Sequence, residues 1–169
     1  MGVSHIGLST LDLDRTIAFY RDLLGFRLAV LEQIDFEEGG RIRHAFFDCG
    51  DGQLVAFMEP RGIRGIPAEY DAGINRGLGV PEMFYHFAFD VGSVDALHAK
   101  RAELLAKGVK VTPVVDHQWI QSIYFKDPNG LLLEFAAQTR PLTDADVQAG
   151  RRFTVSMRGP SPVTDFRDR

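Results

Sequence analysis

His5-Ile6-Gly7-Leu8-Ser9 recurs 81 residues later as His86-Phe87-Ala88-Phe89-Asp90, and an amphipathic helical pattern follows each copy. Under that shift Leu8 falls on Phe89, Leu13 on Val94, Asp14 on Asp95, and Leu23-Leu24 on Leu104-Leu105. Further along, the shift becomes 78 and lays Gly52-Gln53-Leu54-Val55-Ala56-Phe57 over Gly130-Leu131-Leu132-Leu133-Glu134-Phe135. The change of three residues is a difference in loop length. A long period with only two copies marks a duplicated module rather than a solenoid.

Each module reads as strand, helix, then three strands. In the first, residues 3–9 alternate as a half-buried strand does. Leu13, Ile17, Tyr20 and Leu24 then recur at helical spacing, with Asp12 as N-cap and Gly25 as the stop. Strands follow near 27–35, 42–48 and 53–59. The second module predicts a strand over 85–91, a helix from Ser93 to Lys107 ended by Gly108, and strands near 109–115, 120–126 and 131–137. Asp127-Pro128-Asn129-Gly130 is a strong hairpin turn between the last two.

Strand parity sorts the side chains into two faces. Ile6, Leu8, Phe87, Phe89, Val91, Leu131, Leu133, Phe135, Ile123 and Phe125 should pack beneath the helices. The alternate positions are mostly polar or small, and they include His5, His86 and Glu134. Two imidazoles and a carboxylate form the facial set that binds one divalent metal ion and leaves positions open for substrate. Either histidine alone has an ordinary explanation, an exposed terminal residue or a satisfied core one. Glu134 does not, because a buried carboxylate without a partner is costly. The expected fold class is α+β: two βαβββ modules forming an open, cupped, barrel-like sheet with helices outside and the metal inside.

The module boundaries fall at 1–59 and 85–137. Residues 60–84 connect them, and the stretch up to residue 85 is rich in glycine and proline. It is longer than a linker needs to be and reads as a lid, with a short helix around Ala68–Asn75. Residues 138–169 lie beyond the repeat, with a helix from Thr143 to Gly150, capped by Thr143, and then an extended tail.

Composition narrows the partners. An apolar fraction of 45% allows an ordinary core, and a net charge of −4 gives no general attraction to nucleic acid or anionic membrane. Arg151, Arg152, Arg158, Arg167 and Arg169 cluster near the end, but aspartates interrupt them and no aromatic ladder accompanies them. Cys49 is the only cysteine, so no internal disulfide forms. The start has no basic stretch leading into an apolar one, and no run is long enough to span a membrane. The expectation is a cytoplasmic protein with a small-molecule substrate.

The paired βαβββ repeat, the strand-initial His5 and His86, and Ser122-Ile123-Tyr124-Phe125-Lys126-Asp127-Pro128-Asn129-Gly130 leading to Glu134 resemble the vicinal oxygen chelate superfamily. That group includes glyoxalase I, extradiol dioxygenases, methylmalonyl-CoA epimerase, fosfomycin-resistance transferases and bleomycin-binding proteins. The resemblance spans roughly residues 3–137 and implies a homodimer. Glyoxalase I-like sites use four protein ligands, but the repeat partner of Glu134 is Ala56. Glu59 has the opposite parity and reads as solvated where its strand ends. A three-ligand site is therefore expected, as in extradiol dioxygenases and fosfomycin transferases.

The resemblance also implies roles around the metal. Tyr124, ten residues before Glu134, matches an active-site tyrosine of extradiol dioxygenases that hydrogen-bonds substrate; otherwise it is a strand aromatic. The histidine those enzymes carry ahead of the fourth strand appears here as Gln53. His44, which overlies Ser122, and His117 are the candidates for general acid/base in its place. His44 otherwise faces solvent from an edge strand, and His117 is otherwise a turn residue whose spacing to Tyr124 does not match. Trp119 and Phe84 line the cup or pack in the core. The leading function is an Fe(II)-dependent extradiol-type dioxygenase on a small aromatic or vicinally oxygenated substrate. The alternatives are a glyoxalase-like lyase, isomerase or epimerase using Mn(II), Ni(II) or Zn(II), and a non-catalytic protein that sequesters a small molecule.

Overall fold

The structure is a computed structural model and describes residues 2–148. The first sheet contains β1 (His5–Ser9), β2 (Arg27–Asp35), β3 (Arg41–Gly50) and β4 (Gln53–Arg61), in the order β1-β4-β3-β2. The second contains β5 (His86–Asp90), β6 (Val115–Asp116), β7 (Ile120–Lys126) and β8 (Leu132–Gln138), in the order β5-β8-β7-β6. Neither closes into a barrel. In both, the first strand pairs in parallel with the last, which requires a helical crossover between them. Gly7 stands opposite Ala56 and Ala88 opposite Glu134; His5 stands opposite Leu54 and His86 opposite Leu132. These pairs correspond one to one under the two sequence shifts, so the duplication is a duplication of register.

The chain divides into two compact units, residues 1–80 with 126–131, and residues 81–125 with 132 onward. In the first, Asp12 caps α1 (Leu13–Ile17), its carboxylate accepting from the Arg15 amide at 2.9 Å. The helix continues to the expected end at Gly25, but as a π-helical turn over Ala18–Leu23. Tyr20 sits in that turn, fully buried against Phe47 and Phe57 at ring separations of 5.4 and 4.8 Å. In the second unit Ser93 caps α3 (Val94–Ala106), which buries Leu97 and Leu104 and stops before Gly108 in the left-handed conformation, φ +80°. Leu133, Phe135, Ile123 and Phe125 lie beneath it as parity requires, all buried.

Several expectations are corrected. Ile6 is 38% exposed and so does not join the core. The strand expected over 109–115 shrinks to β6, because Pro113 has no amide to donate and Thr112 bonds Tyr124 through its own amide and hydroxyl. The lid helix lies later than expected, as α2 (Ile74–Leu78). Asp71 collects the Gly73 amide and the Arg76 guanidinium, which delays the first turn. The last helix is α4 (Asp144–Gln148). Thr143 immediately precedes it, its amide and hydroxyl donating to Asp146, which Arg140 also holds. Gly150 and the tail lie outside the described residues. Among the described residues no helix is long and apolar enough to cross a membrane.

Glu59 is the sharpest correction. It is not solvated but 2% exposed. Its carboxylate accepts from the Leu13 amide at the start of α1 (3.1 Å) and from Arg61 (2.7 Å), with Arg43 at 3.5 Å. The parity assignment is right, since Glu59 lies on the helix side of β4, and the helix N-terminus is what makes burial there tolerable.

The turn at 127–130 is likewise more than a hairpin. Asp127 is buried, and its carboxylate accepts from the Asn129 and Leu131 amides, the Asn129 side chain and the Tyr20 hydroxyl. Asn129 in turn accepts from Thr10 at 2.7 Å and donates to Thr16 at 3.2 Å. Burial nevertheless raises the Asp127 pKa above the ordinary 3.8, outweighing these donors. A raised carboxyl pKa means the folded state holds the proton more tightly, so stability falls as pH rises through that value. Tyr20→Phe removes one donor from the ionised form. It should cost about 1–2 kcal/mol in urea unfolding at neutral pH. The loss should shrink as pH falls below the Asp127 pKa, and a pH-independent loss would show that the hydroxyl does not serve the carboxylate.

Candidate metal and proton-transfer site

β5 and β8 are parallel neighbours, and β7 lies on the other side of β8. This places His86, Glu134, Ser122 and Tyr124 within one unit on positions of matching parity. His86 Nε2 stands 3.2 Å from Glu134 Oε2. Its other nitrogen, Nδ1, stands 3.1 Å from the carbonyl of Met83, in the 3₁₀ turn Glu82–Phe84 that precedes β5. That carbonyl can only accept, so Nδ1 carries a proton, and a second proton on Nε2 lets the imidazolium donate to the carboxylate. Glu134 is 5% exposed and also accepts a short hydrogen bond from the Ser122 hydroxyl. The His86 pKa is raised above the ordinary 6.5, chiefly by the hydrogen bond to Glu134 and further by the Met83 carbonyl, while burial opposes it.

Tyr124 is buried, and its ring meets His86 edge-on at 6.2 Å. Its hydroxyl lies 3.1 Å from His117 Nε2. Sequence spacing argued against this pair, and the turn before β7 explains why it forms. Gln118 takes a left-handed conformation, φ +73°, its amide bonds the Asp116 carboxylate at 2.6 Å, and His117 N bonds the Ile120 carbonyl. The irregular turn swings the imidazole back over β7. Burial, and then the Glu134 carboxylate, push the Tyr124 pKa up to about 12. The phenol therefore keeps its proton at every physiological pH and acts as a donor.

His5 and His44 belong to the first unit. His5 is exposed, its Nδ1 3.2 Å from the Ser4 hydroxyl and its ring edge-on to Phe46. His44 lies not on an edge but on β3, between β2 and β4. Its Nδ1 meets Glu32 on β2 at 3.1 Å, its ring lies 4.2 Å from Phe46, and its Nε2 is buried without a partner among the described residues. Among the described residues no three His, Cys, Asp or Glu side chains cluster closely enough to hold a metal ion. The second unit brings two of the expected ligands together, and the third is carried on β1. Phe84 is 65% exposed and Trp119 half-buried, so neither belongs to the core. Glu32 and the Met83 carbonyl escaped the sequence reading. Glu32 was detectable as the cross-strand neighbour of His44, whereas no pattern signals a carbonyl in an irregular turn.

Comparison with known proteins bears on the family and the fold. The profile of the Glyoxalase/Bleomycin resistance protein/Dioxygenase superfamily matches residues 2–135. An iron-dependent extradiol dioxygenase of Rhodococcus jostii (strain RHA1) is 27% identical over 168 residues, covering 94% of this chain. The chain spans 50% of that relative's length. A glyoxylase/bleomycin resistance protein/dioxygenase domain from Frankia sp. EAN1pec has a TM-score of 0.63 at 22% identity, covering 84% of this chain and 95% of its own. A fosfomycin resistance protein from Listeria monocytogenes has a TM-score of 0.56 at 23% identity, covering 82% and 94%. At these identities the two structures speak for the fold alone. The profile spans most of the chain and both halves of the repeat, and on that ground the chain belongs to the Glyoxalase/Bleomycin resistance protein/Dioxygenase superfamily.

Proposed function

We propose that the chain is a metal-dependent enzyme whose metal is held by His86 and Glu134, with His5 as the third protein ligand. We assign it as an Fe(II)-dependent extradiol-type dioxygenase acting on a small aromatic or vicinally oxygenated substrate. The observation that carries this reading is the orientation of His86. An imidazole whose Nδ1–H is anchored on a backbone carbonyl and whose Nε2 points at a buried carboxylate has the supporting shell of a metal ligand. The donor set fits the group: neutral imidazole and carboxylate suit Fe(II), Mn(II), Ni(II) or Zn(II) alike. Bound Fe(II) would supply redox chemistry between a vicinally oxygenated ring and dioxygen. The 27% identity to an iron-dependent extradiol dioxygenase supports iron over the other metals.

The chain's own residues have separate tasks. Ser122 holds one oxygen of Glu134 and leaves the other to face His86. Tyr124, kept protonated by its raised pKa, donates to a substrate oxygen. His117, in contact with that phenol, takes and returns the substrate proton. His44, oriented by Glu32, is the alternative base. Gln53, where the related dioxygenases carry a histidine, favours the second reading, a lyase, isomerase or epimerase using a redox-inert metal.

Protein purified without chelator or oxygen and loaded with Fe(II) should retain stoichiometric metal and consume O2 with catechol or 3-methylcatechol. His86→Ala and Glu134→Ala should each lose the metal, whereas Glu59→Gln should keep it. Metal retained by His86→Ala would overturn the ligand assignment, and bound nickel, zinc or manganese without O2 uptake would establish the second reading. Tyr124→Phe and His117→Ala should retain metal and lower kcat about 10²-fold. Equal activity in both would remove the pair from catalysis.

Proton and metal compete for His86. In metal-free protein its imidazole should titrate above 6.5 by NMR, and Glu134→Gln should lower the midpoint. Metal affinity should accordingly weaken as pH falls through the His86 value. A midpoint unmoved by Glu134→Gln would separate the two residues.

A further inference from the structure

Among the described residues, two that are not glycine hold a positive φ, Asp51 at +50° and Gln118 at +73°. Asp51 lies between two glycines in the β3–β4 hairpin, and aspartate is one of the few side chains that tolerate the left-handed region. Glutamine has no such tolerance. Gln118 and Trp119 form the two-residue connection between β6 and β7, closed by the bond from the His117 amide to the Ile120 carbonyl at 2.9 Å. A hairpin connection with positive φ at its first position ordinarily carries glycine there. Strain of this kind persists only where the surrounding structure over-determines it.

The surroundings do so here. The Asp116 carboxylate accepts from the Gln118 amide at 2.6 Å, and its other oxygen takes the Gln121 side chain at 3.4 Å. Thr139, just past the end of β8, donates its amide to the Trp119 carbonyl at 2.9 Å and its hydroxyl to the Gln118 carbonyl at 3.3 Å. Both polar backbone groups of Gln118 and the carbonyl of Trp119 are thereby held. The residue immediately before this turn is His117, whose Nε2 meets the Tyr124 hydroxyl at 3.1 Å. Relaxing Gln118 to a negative φ would redirect the chain beside His117 and carry the imidazole away. A misplacement of about 1 Å costs a reacting group on the order of 10²-fold in rate.

We propose that Asp116, supported by Thr139, is a positioning residue: its carboxylate holds the strained Gln118 turn in the conformation that keeps His117 on the Tyr124 hydroxyl. This rests on the acid/base role proposed above for His117 and adds the residues that set its place. The task is acceptance of the Gln118 amide and not charge, because Asp116 is exposed and both of these partners are uncharged.

The chelator-treated full chain, labelled with nitrogen-15, gives a readout that needs neither metal nor turnover. This is the set of His117 ring signals, identified with His117→Ala and calibrated by Tyr124→Phe, which removes the contact. Asp116→Ala should move these signals toward those of the Tyr124→Phe protein, and Thr139→Val should move them the same way by less. Asp116→Asn keeps the acceptor and should leave them as in the wild type. Glycine adopts positive φ without strain, so adding Gln118→Gly to Asp116→Ala should restore the wild-type signals. In Fe(II)-loaded protein Asp116→Ala should lower kcat with catechol about tenfold at unchanged KM. His117 signals unmoved by Tyr124→Phe or by Asp116→Ala would overturn the proposal, even if the latter variant melts at a lower temperature. So would Asp116→Asn behaving as Asp116→Ala, a failure of Gln118→Gly to restore, or an unchanged kcat in active protein. Absence of O2 uptake in the wild type would instead sink the dioxygenase reading and leave the ring signals to decide this one.

Discussion

A carboxylate removed from water must be given partners, and three buried carboxylates organise this molecule around that constraint. Glu59 is satisfied by an α-helix N-terminus and by arginine, Asp127 by turn amides, an asparagine and a phenol. Both arrangements are closed: each donor is fixed by backbone geometry or by a neighbouring charge, and neither acid has a role outside the fold. Glu134 is different. It is as buried as Asp127, yet it is met by a serine hydroxyl and a half-exposed imidazole, two groups that rotate or change protonation at little cost. The first two acids tie β4 and the 127–130 turn to the start of α1. The third is left with replaceable partners, a serine hydroxyl and an imidazole, and that difference is what the proposed ligand role rests on.

The contrast explains what was legible in the sequence. Glu59 and Glu134 both interrupt apolar strands, and parity places them correctly on opposite faces. Parity does not report what waits on each face. The amide of Leu13 is provided by a crossover that brings the start of α1 onto β4, a non-local event with no trace near Glu59. The fold was readable because the two shifts encode register directly: His5 over His86 and Ala56 over Glu134 are the same ladder positions in the two sheets. His117 was not readable as a partner of Tyr124, because one residue in a left-handed conformation, Gln118, breaks the spacing on which such readings rest. Strand-borne residues could thus be placed by counting, and turn-borne ones could not.

The second unit combines the parts of a proton-handling site without long-range help. A phenol that keeps its proton, an imidazole in contact with it and a carboxylate that raises its pKa lie within two adjacent strands and the turn between β6 and β7. Burial raises the phenol, and the neighbouring acid raises it further. The tyrosine is thereby kept protonated, with His117 in contact with its hydroxyl. The proposed acid/base roles depend on these positions and not on the metal, so they belong equally to the redox and the non-redox proposals.

The two halves of the duplication differ most where their registers agree best. Opposite Ala88 the second sheet places Glu134, while opposite Gly7 the first places Ala56, fully buried. Ser122, which serves Glu134, is overlain in the first half by His44. There is no acid at Ala56 to bond; His44 meets Glu32 across the β2–β3 ladder, and its Nε2 has no partner among the described residues. The difference at this ladder position thus accompanies a second one, histidine at 44 in place of serine at 122. It also leaves this part of the first sheet with small side chains, Gly7, Ser9 and Ala56, and two of these three line a cavity. Acidic at one copy of the position and apolar at the other, the repeat gives the two sheets different chemistry at the same rung of the ladder.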